Sequence, residues 1–212
     1  MSDSAGPIAP RGLSRRQQAV KRAFDLIVAV PGFLILLPLV AAAVVAATFD
    51  TGEWGVFTQQ RIGRYGKLFR VHKIRSMRTS GTHDTTVTTS SDPRITRLGA
   101  ALRRSKVDEL PQLWDVITGQ MSLVGPRPDV PGWADELRGE DRLVLSMRPG
   151  ITGPSSLAFK DEERTLSEAD DPEKLNRDVI WPEKVRLNRE YIENWTFKND
   201  LTIILRTVGA KK

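Results

Sequence analysis

The chain has 212 residues, a net charge of +6, 40% hydrophobic and 27% charged side chains, and no cysteine. That length suits one domain, or one domain with a small appendage, and the composition excludes both a disordered chain and a polytopic membrane protein. Without cysteine there are no disulfides, iron–sulfur clusters, thiolate metal sites or cysteine nucleophiles; two histidines are too few for a His-rich zinc centre.

The charge is unevenly placed. Residues 1–25 carry +3, residues 26–60 carry −2, residues 61–106 carry +10 and residues 107–212 carry −5. The middle third therefore calls for an anionic partner: nucleic acid, lipid headgroups or a phosphorylated substrate. A solvated basic face is the plainer alternative. Nucleic acid is disfavoured, because aromatic residues are not interleaved with the basic stretch.

Residues 1–13 read as a flexible tail. A helix is predicted from Ser14, a suitable N-cap before RRQQAVKRAFDL. From Leu26 to Phe49 runs a stretch of 24 residues with no charge, longer than the ~20 a helix needs to cross a bilayer. It does not end in a small-residue cleavage site, so a signal peptide fits poorly. Pro31 and Pro38 lie inside it, and each removes a helical N–H and can kink the helix. Pro38 divides the stretch into halves of about 18 Å and 16 Å, too short to span singly. Both flanks are basic, with Arg15, Arg16, Lys21 and Arg22 before and Arg61, Arg64, Lys67 and Arg70 after. A single span would place one basic flank on the wrong side. A re-entrant hairpin bent at Pro38 satisfies both flanks, and is favoured over a simple span or a buried core helix.

Beyond the apolar segment, GVFTQQRIG and LFRVHKIRSM read as strands, and THDTTVTTSSDP as a mobile polar loop. ITRLGAALRRS is helical, with Ile95, Leu98 and Leu102 on one face. PQLWDVITG is a short helix with Pro111 in its first turn and Gly119 as its stop. MSLVGPRPDVPG is a strand running into a Pro/Gly-pinned loop, and RPGITGPSS is a second such loop. WPEKVRLNREYIENW is a helix with Trp181, Val185, Ile192 and Trp195 on one stripe. That stripe suits either a membrane-interface helix or a core helix.

No P-loop, Rossmann, HExxH or GxSxG motif is present. The chemistry falls to carboxylates and cations. Asp108 and Glu109 end the most basic region, where a carboxylate can remain anionic and a metal or phosphate can gather. The competing reading is a helix cap, since Ser105-x-x-Asp108 resembles a capping box. Arg127, in GPRP, is held between prolines and suited to phosphate recognition; a solvated loop arginine is the alternative. Lys73 and Arg75 alternate on one face of a strand and could line a phosphate site. His72 and His83 show no partner and are assigned no role.

Read in order, KRAFDLI, the Pro-containing apolar run, FTQQRIGRYGKLFRVHKIRSM, DPRITRLGAALRRSKVDELPQLWDVITGQMSLVGPRP, RPGITGPSSLAF and NREYIENWTFKNDLTIILRT resemble the bacterial sugar transferase family, the monotopic phosphoglycosyl transferases, over about residues 20–208. The resemblance is to the short form. It implies an α+β fold, helix-rich with a small sheet. A membrane-inserted unit at 14–50 would precede a catalytic domain at 51–212, with interfacial amphipathic helices. It also implies transfer of a phosphosugar from a UDP-sugar to undecaprenyl phosphate, with release of UMP, at the cytoplasmic face of the inner membrane. Asp108 would be the nucleophile and Glu109 would be tied to Mg²⁺, with Asp108 beside it at the metal. Lys73, Arg103 and Arg127 would hold phosphates, with Arg75 a further candidate, and Pro38 would bend the membrane helix. Membrane lipid and downstream glycosyltransferases are the implied partners. Four positions depart from the family pattern: Leu37 for a common Ser, Asp115 for Asn, Gln120 for Asp and Asn188 for Asp.

Overall fold

The computed structural model describes residues 12–79 and 92–209. Helix α1 spans Arg15–Thr51 and opens on the expected cap: Ser14 Oγ accepts from Gln17 N–H, and the Gln17 side chain returns the bond in a capping box. Strands β1 (Val56–Ile62) and β2 (Leu68–Ile74) pair antiparallel, Phe57 opposite Lys73. Then come α2 (Arg97–Ser105), a single 3₁₀ turn at Val107–Glu109 and α3 (Gln112–Ile117). Short β3 (Ser122–Val124) pairs parallel with β4 (Gly150–Thr152). The chain ends in α4 (Pro154–Ala158), α5 (Glu162–Ser167), α6 (Pro172–Leu175), α7 (Trp181–Glu193) and α8 (Phe197–Gly209). Helices thus dominate two small sheets, as expected. The polar stretch 82–93 lies largely outside the described residues, as does most of the 1–13 tail.

Two expectations change, and one reading left open is decided. First, α1 is one helix through both prolines rather than two halves. Each proline removes only its own N–H, and the remaining helical hydrogen bonds carry the segment across. Lys21, Asp25, Ala29, Val40, Ala43 and Ala47 are buried in one stripe, while Ile27, Leu34, Ile35, Val45 and Phe49 face outward. Pro31 and Pro38 lie on the outward side. A ring there opens that side, the sense of curvature that keeps a long helix against the surface it packs on. Ala43 and Ala47 meet Ile74 and Leu102, so both ends of α1 rest on the same domain. Second, RPGITGPSS is not merely a loop, because Gly150–Thr152 forms β4. Third, the α7 stripe is interior: Val185, Ile192 and Trp195 are buried, and Trp181 stacks edge-on against Trp133 at 5.3 Å.

The principal core joins Ala29 of α1, Val71 of β2, Val116 of α3, Met121, Val124 of β3, and Tyr191, Trp195 and Ile203 at the C-terminal end. Glycines bring the β3–β4 unit together. A Cβ on Gly150 would lie 2.1 Å from Gly125 N, and one on Gly153 would lie 2.1 Å from Gly125 O. This backbone-on-backbone contact sets the start of the GPRP loop. Gly150→Ala is therefore expected to destabilise the protein by about 1–3 kcal/mol or more and to weaken any function that depends on Arg127. Thermal midpoint and activity would be measured side by side; an unchanged midpoint would contradict the close packing.

Candidate active site

Helix α2 ends where Lys106 takes a left-handed conformation, φ 59°. This is an uncommon state for a non-glycine residue, and it turns the chain so that the next 3₁₀ turn presents Asp108 and Glu109. The capping reading fails here. Ser105 Oγ bonds back to the carbonyls of Ala101 and Leu102, and Asp108 caps nothing.

Asp108 is 6% exposed, and its Oδ1 is buried without a hydrogen-bond partner. Burial and the adjacent Glu109 push its pKa up, against the pull of Lys73, Lys106 and Arg103. Glu109 behaves oppositely. Burial would raise it, but Lys73, Arg127 and Lys106 outweigh burial and hold it at about 2. Lys73 Nζ donates to Glu109 Oε1 at 2.9 Å, and Arg127 Nη2 lies 3.7 Å from the same oxygen. Two neighbouring carboxylates therefore have different characters: Glu109 is a fixed, paired anion, and Asp108 is an unpaired one of raised basicity.

Lys73, Glu109 and Arg127 line a shallow open cleft together with Arg61 and Gln112. Arg103 contributes charge to Asp108 and pairs with Glu163 of α5. Of the expected site residues, Lys73, Arg103, Asp108, Glu109 and Arg127 thus converge. Arg75 does not join them. Strand β2 ends at Ile74, and the Arg75 guanidinium turns to Glu53 at 2.9 Å and to the Trp54 carbonyl.

Sequence reasoning missed several groups. Arg61 was seen only as a basic flank, yet burial and Arg127 lower its pKa to about 10. Asp129 follows the GPRP motif by one residue and sits among Lys184, Arg61 and Arg127. His72, given no role, donates its backbone N–H to Asp115 Oδ2 at 2.9 Å and holds Nδ1 2.6 Å from Oδ1. The Asp115 departure thus has a partner, and the pair ties β2 to α3, fixing Lys73 relative to Glu109.

Asp129 gives a testable sign. Burial raises its pKa to about 6, against the cations around it. A carboxylic acid raised in the folded state binds protons more tightly there than when unfolded. Stability therefore falls as pH rises from about 4 to about 6 and stays lower above that. Asp129→Asn is expected to be more stable than the parent at pH 7, by about 1–2 kcal/mol, and equal to it below pH 4. Thermal midpoints across that range check it; a gap that persists at pH 3.5 would contradict the titration.

The catalogue of carboxylates also bears on Mg²⁺. Among the described residues no three His, Cys, Asp or Glu side chains form a metal-holding group. Mg²⁺, however, commonly takes one or two carboxylates and completes its shell with substrate phosphates and water. Adjacent Asp108 and Glu109, one with a free buried oxygen, fit that partial donor set.

The model of the bacterial sugar transferase family matches residues 16–211. The chain belongs to that family. It is 31% identical over 209 residues to the exopolysaccharide production protein ExoY of Sinorhizobium fredii, covering 90% of this chain and 84% of that one. It is 34% identical over 208 residues to the UDP-glucose:undecaprenyl-phosphate glucose-1-phosphate transferase of Escherichia coli, covering 95% of this chain and 42% of that one. With the UDP-galactose-lipid carrier transferase of Erwinia amylovora it shares 30% identity over 207 residues, 90% of this chain and 40% of the relative. The chain therefore spans under half of the longer curated relatives and most of ExoY. Within this family member, the matched region contains every site residue described above.

Proposed function

We propose that the protein is a phosphoglycosyl transferase that moves a phosphosugar from a UDP-sugar to undecaprenyl phosphate and releases UMP, opening assembly of a cell-surface glycan. The observation that carries the reading is Asp108: a buried carboxylate with one unpartnered oxygen and raised basicity, within the fields of Lys73, Lys106 and Arg103. A Brønsted-strengthened carboxylate of this kind suits nucleophilic attack. In the first half-reaction an Asp108 oxygen bonds to the sugar-bearing phosphorus and the P–O bond to UMP breaks. In the second, an oxygen of the lipid phosphate bonds to that phosphorus and Asp108 leaves as a carboxylate. Lys73, Arg103 and Arg127 counter the phosphate charge in both. Asp108 and Glu109 would hold Mg²⁺, whose chemistry here is neutralisation of the pyrophosphate.

The membrane reading rests on α1, which has the length and hydropathy to cross a bilayer. It is packed on the domain at Lys21–Ala29 and again at Val40–Ala47, while the apolar stretch between them and its outer face are largely exposed. A helix held to one domain at both ends enters one leaflet, its curvature rather than a break at Pro38 returning it, more readily than it crosses alone. The basic residues on both flanks then share the cytoplasmic face of the inner membrane. Downstream glycosyltransferases would take up the lipid-linked product.

The test is donor turnover without acceptor. Lipid-held protein is given Mg²⁺ and a panel of UDP-sugars but no undecaprenyl phosphate. One UMP per protein and a mass gain of one phosphosugar are expected with the right donor, followed by steady UMP release once acceptor is added. UMP that appears only with both substrates present, with no adduct at any time, would replace the covalent route by direct transfer.

A further inference from the structure

One polar side chain lining the active-site cleft is without a partner. Arg61, Lys73, Glu109, Gln112 and Arg127 line that cleft. Four of these five are engaged. Lys73 and Arg127 meet Glu109, and Arg61 donates to Gln59 Oε1 at 2.6 Å and to the Pro128 carbonyl. Gln112 is not engaged. It is 4% exposed, and among the described residues its side-chain amide makes no hydrogen bond. Asp108 Oδ1 is enclosed, but the Gln112 amide is not, so its polar end reaches the open cleft while its stem is buried. Buried polar groups are hydrogen-bonded in the great majority of cases, so an amide left free at a cleft is placed for something that enters it.

Local geometry puts Gln112 there. The 3₁₀ turn that carries Asp108 and Glu109 runs into α3 without a break: Leu110 and Pro111 both keep right-handed helical angles, with φ −57° at each. Leu113 N–H donates to the Leu110 carbonyl and Trp114 N–H to the Pro111 carbonyl, each three residues back. Residues three apart eclipse at that spacing, so Gln112 stands beside Glu109 and next to the cations that Glu109 holds. Three cations against one carboxylate make the cleft a site for an anion. A primary amide offers two N–H donors and one carbonyl, and toward an anion it is the donors that count. Lys73 and Arg127 must divide themselves between Glu109 and an incoming phosphate. Gln112 has no internal partner to give up, which is the condition of a preorganised donor.

We propose that Gln112 is a substrate-contacting residue whose Nε2–H groups donate to a non-bridging oxygen of the transferred phosphate. The inference rests on the reading of the site as a phosphosugar transfer centre. That oxygen stays on phosphorus through both half-reactions, so loss of the donor slows both. The test is Gln112→Met, which keeps the length and removes the amide, in the full, lipid-held chain with Mg²⁺. Two rates are read: kcat/KM for UMP release, and discharge of a preformed phosphosugar adduct by undecaprenyl phosphate. Each is expected to fall about ten- to a hundredfold, the scale of one hydrogen bond to a charged group. The thermal midpoint is expected to hold or rise, because an unpartnered buried amide is exchanged for an apolar side chain. A midpoint that falls along with the rates would make Gln112 a structural residue and overturn the proposal; unchanged rates would leave the amide to water and overturn it too. Gln112→Glu keeps the size and an acceptor oxygen but loses the donors, and is expected to be at least as slow. A rate near the parent's would mean that the amide carbonyl accepts from a sugar hydroxyl, which refutes the phosphate contact. Calorimetry with inorganic pyrophosphate and Mg²⁺ reads the contact without turnover, and binding about five- to tenfold weaker is expected for Gln112→Met. Equal binding, or none in the parent, would count against the proposal. A parent that binds pyrophosphate but releases no UMP from any donor would refute the transfer reading alone, a separate failure.

Discussion

Asp108→Asn is expected to lower phosphosugar transfer by at least about 10³-fold, the scale of removing a nucleophile on which both half-reactions depend. The protein should be no less stable for it. Asp108 Oδ1 has no hydrogen-bond partner to lose, and burial already disfavours the charge that the substitution removes. A loss of activity without a loss of thermal midpoint therefore separates chemistry from folding. The pH profile adds a second readout. Because the Asp108 pKa is raised, the acid limb of kcat/KM should lie above the ordinary aspartate range near 4. Activity is lost as pH falls through that raised value, since only the carboxylate attacks. Glu109, held at about 2, stays ionised throughout that window and adds nothing to the limb. Transfer that survives Asp108→Asn within tenfold would move the nucleophile elsewhere.

The second large effect concerns what holds α1 to the domain. Asp200 is fully buried; Lys21 Nζ reaches its Oδ2 at 2.6 Å, Trp195 Nε1 donates to its Oδ1 at 3.2 Å, and the Tyr191 hydroxyl donates to the same oxygen. Asp200→Ala leaves the Lys21 ammonium buried and unpaired and two aromatic donors unsatisfied. The expected cost is about 3–5 kcal/mol, near 10 °C in thermal midpoint for a chain of this size, at about 2–4 °C per kcal/mol. Replacing both partners, Lys21→Met with Asp200→Leu, should recover much of that, because no charge is then stranded in the interior. Midpoints of the three variants in one detergent decide it. A double variant as damaged as Asp200→Ala would mean that the pair does more than neutralise itself.

Much of the fold could be read from local pattern. Ser14, the alternating strands around Gly63, the Leu98–Leu102 face and the Gly119 stop each act within a few residues, and each is where it was expected. What could not be read depends on distant partners. Strand β4 is three residues containing a glycine, and it exists because Ser122–Val124 lies beside it. The α7 tryptophans could serve a membrane or a core, and only the elements packed on them decide. Proline was weighed by its local effect, whereas α1 is held to the domain on both sides of the prolines, at Lys21–Ala29 and at Val40–Ala47. The site divides the same way. Asp108, Glu109, Lys73, Arg103 and Arg127, expected from charge clustering and the family resemblance, lie near one another. Arg75 failed because strand alternation says nothing about where the strand stops. Arg61 reaches the cleft, and Asp129 the charges of Lys184, Arg61 and Arg127, only through tertiary approach, and no spacing in the sequence brings them together.

The buried stripe of α1 has a kinetic consequence. On the proposed membrane reading, a helix held to the domain at Lys21–Ala29 and at Val40–Ala47 keeps the proposed nucleophile at a fixed height above the lipid. The enzyme cannot reach for its acceptor; the acceptor must arrive by lateral diffusion. In mixed micelles or vesicles the rate should then follow the mole fraction of undecaprenyl phosphate in the surface, and remain constant when bulk volume alone is changed, while the UDP-sugar obeys ordinary bulk concentration.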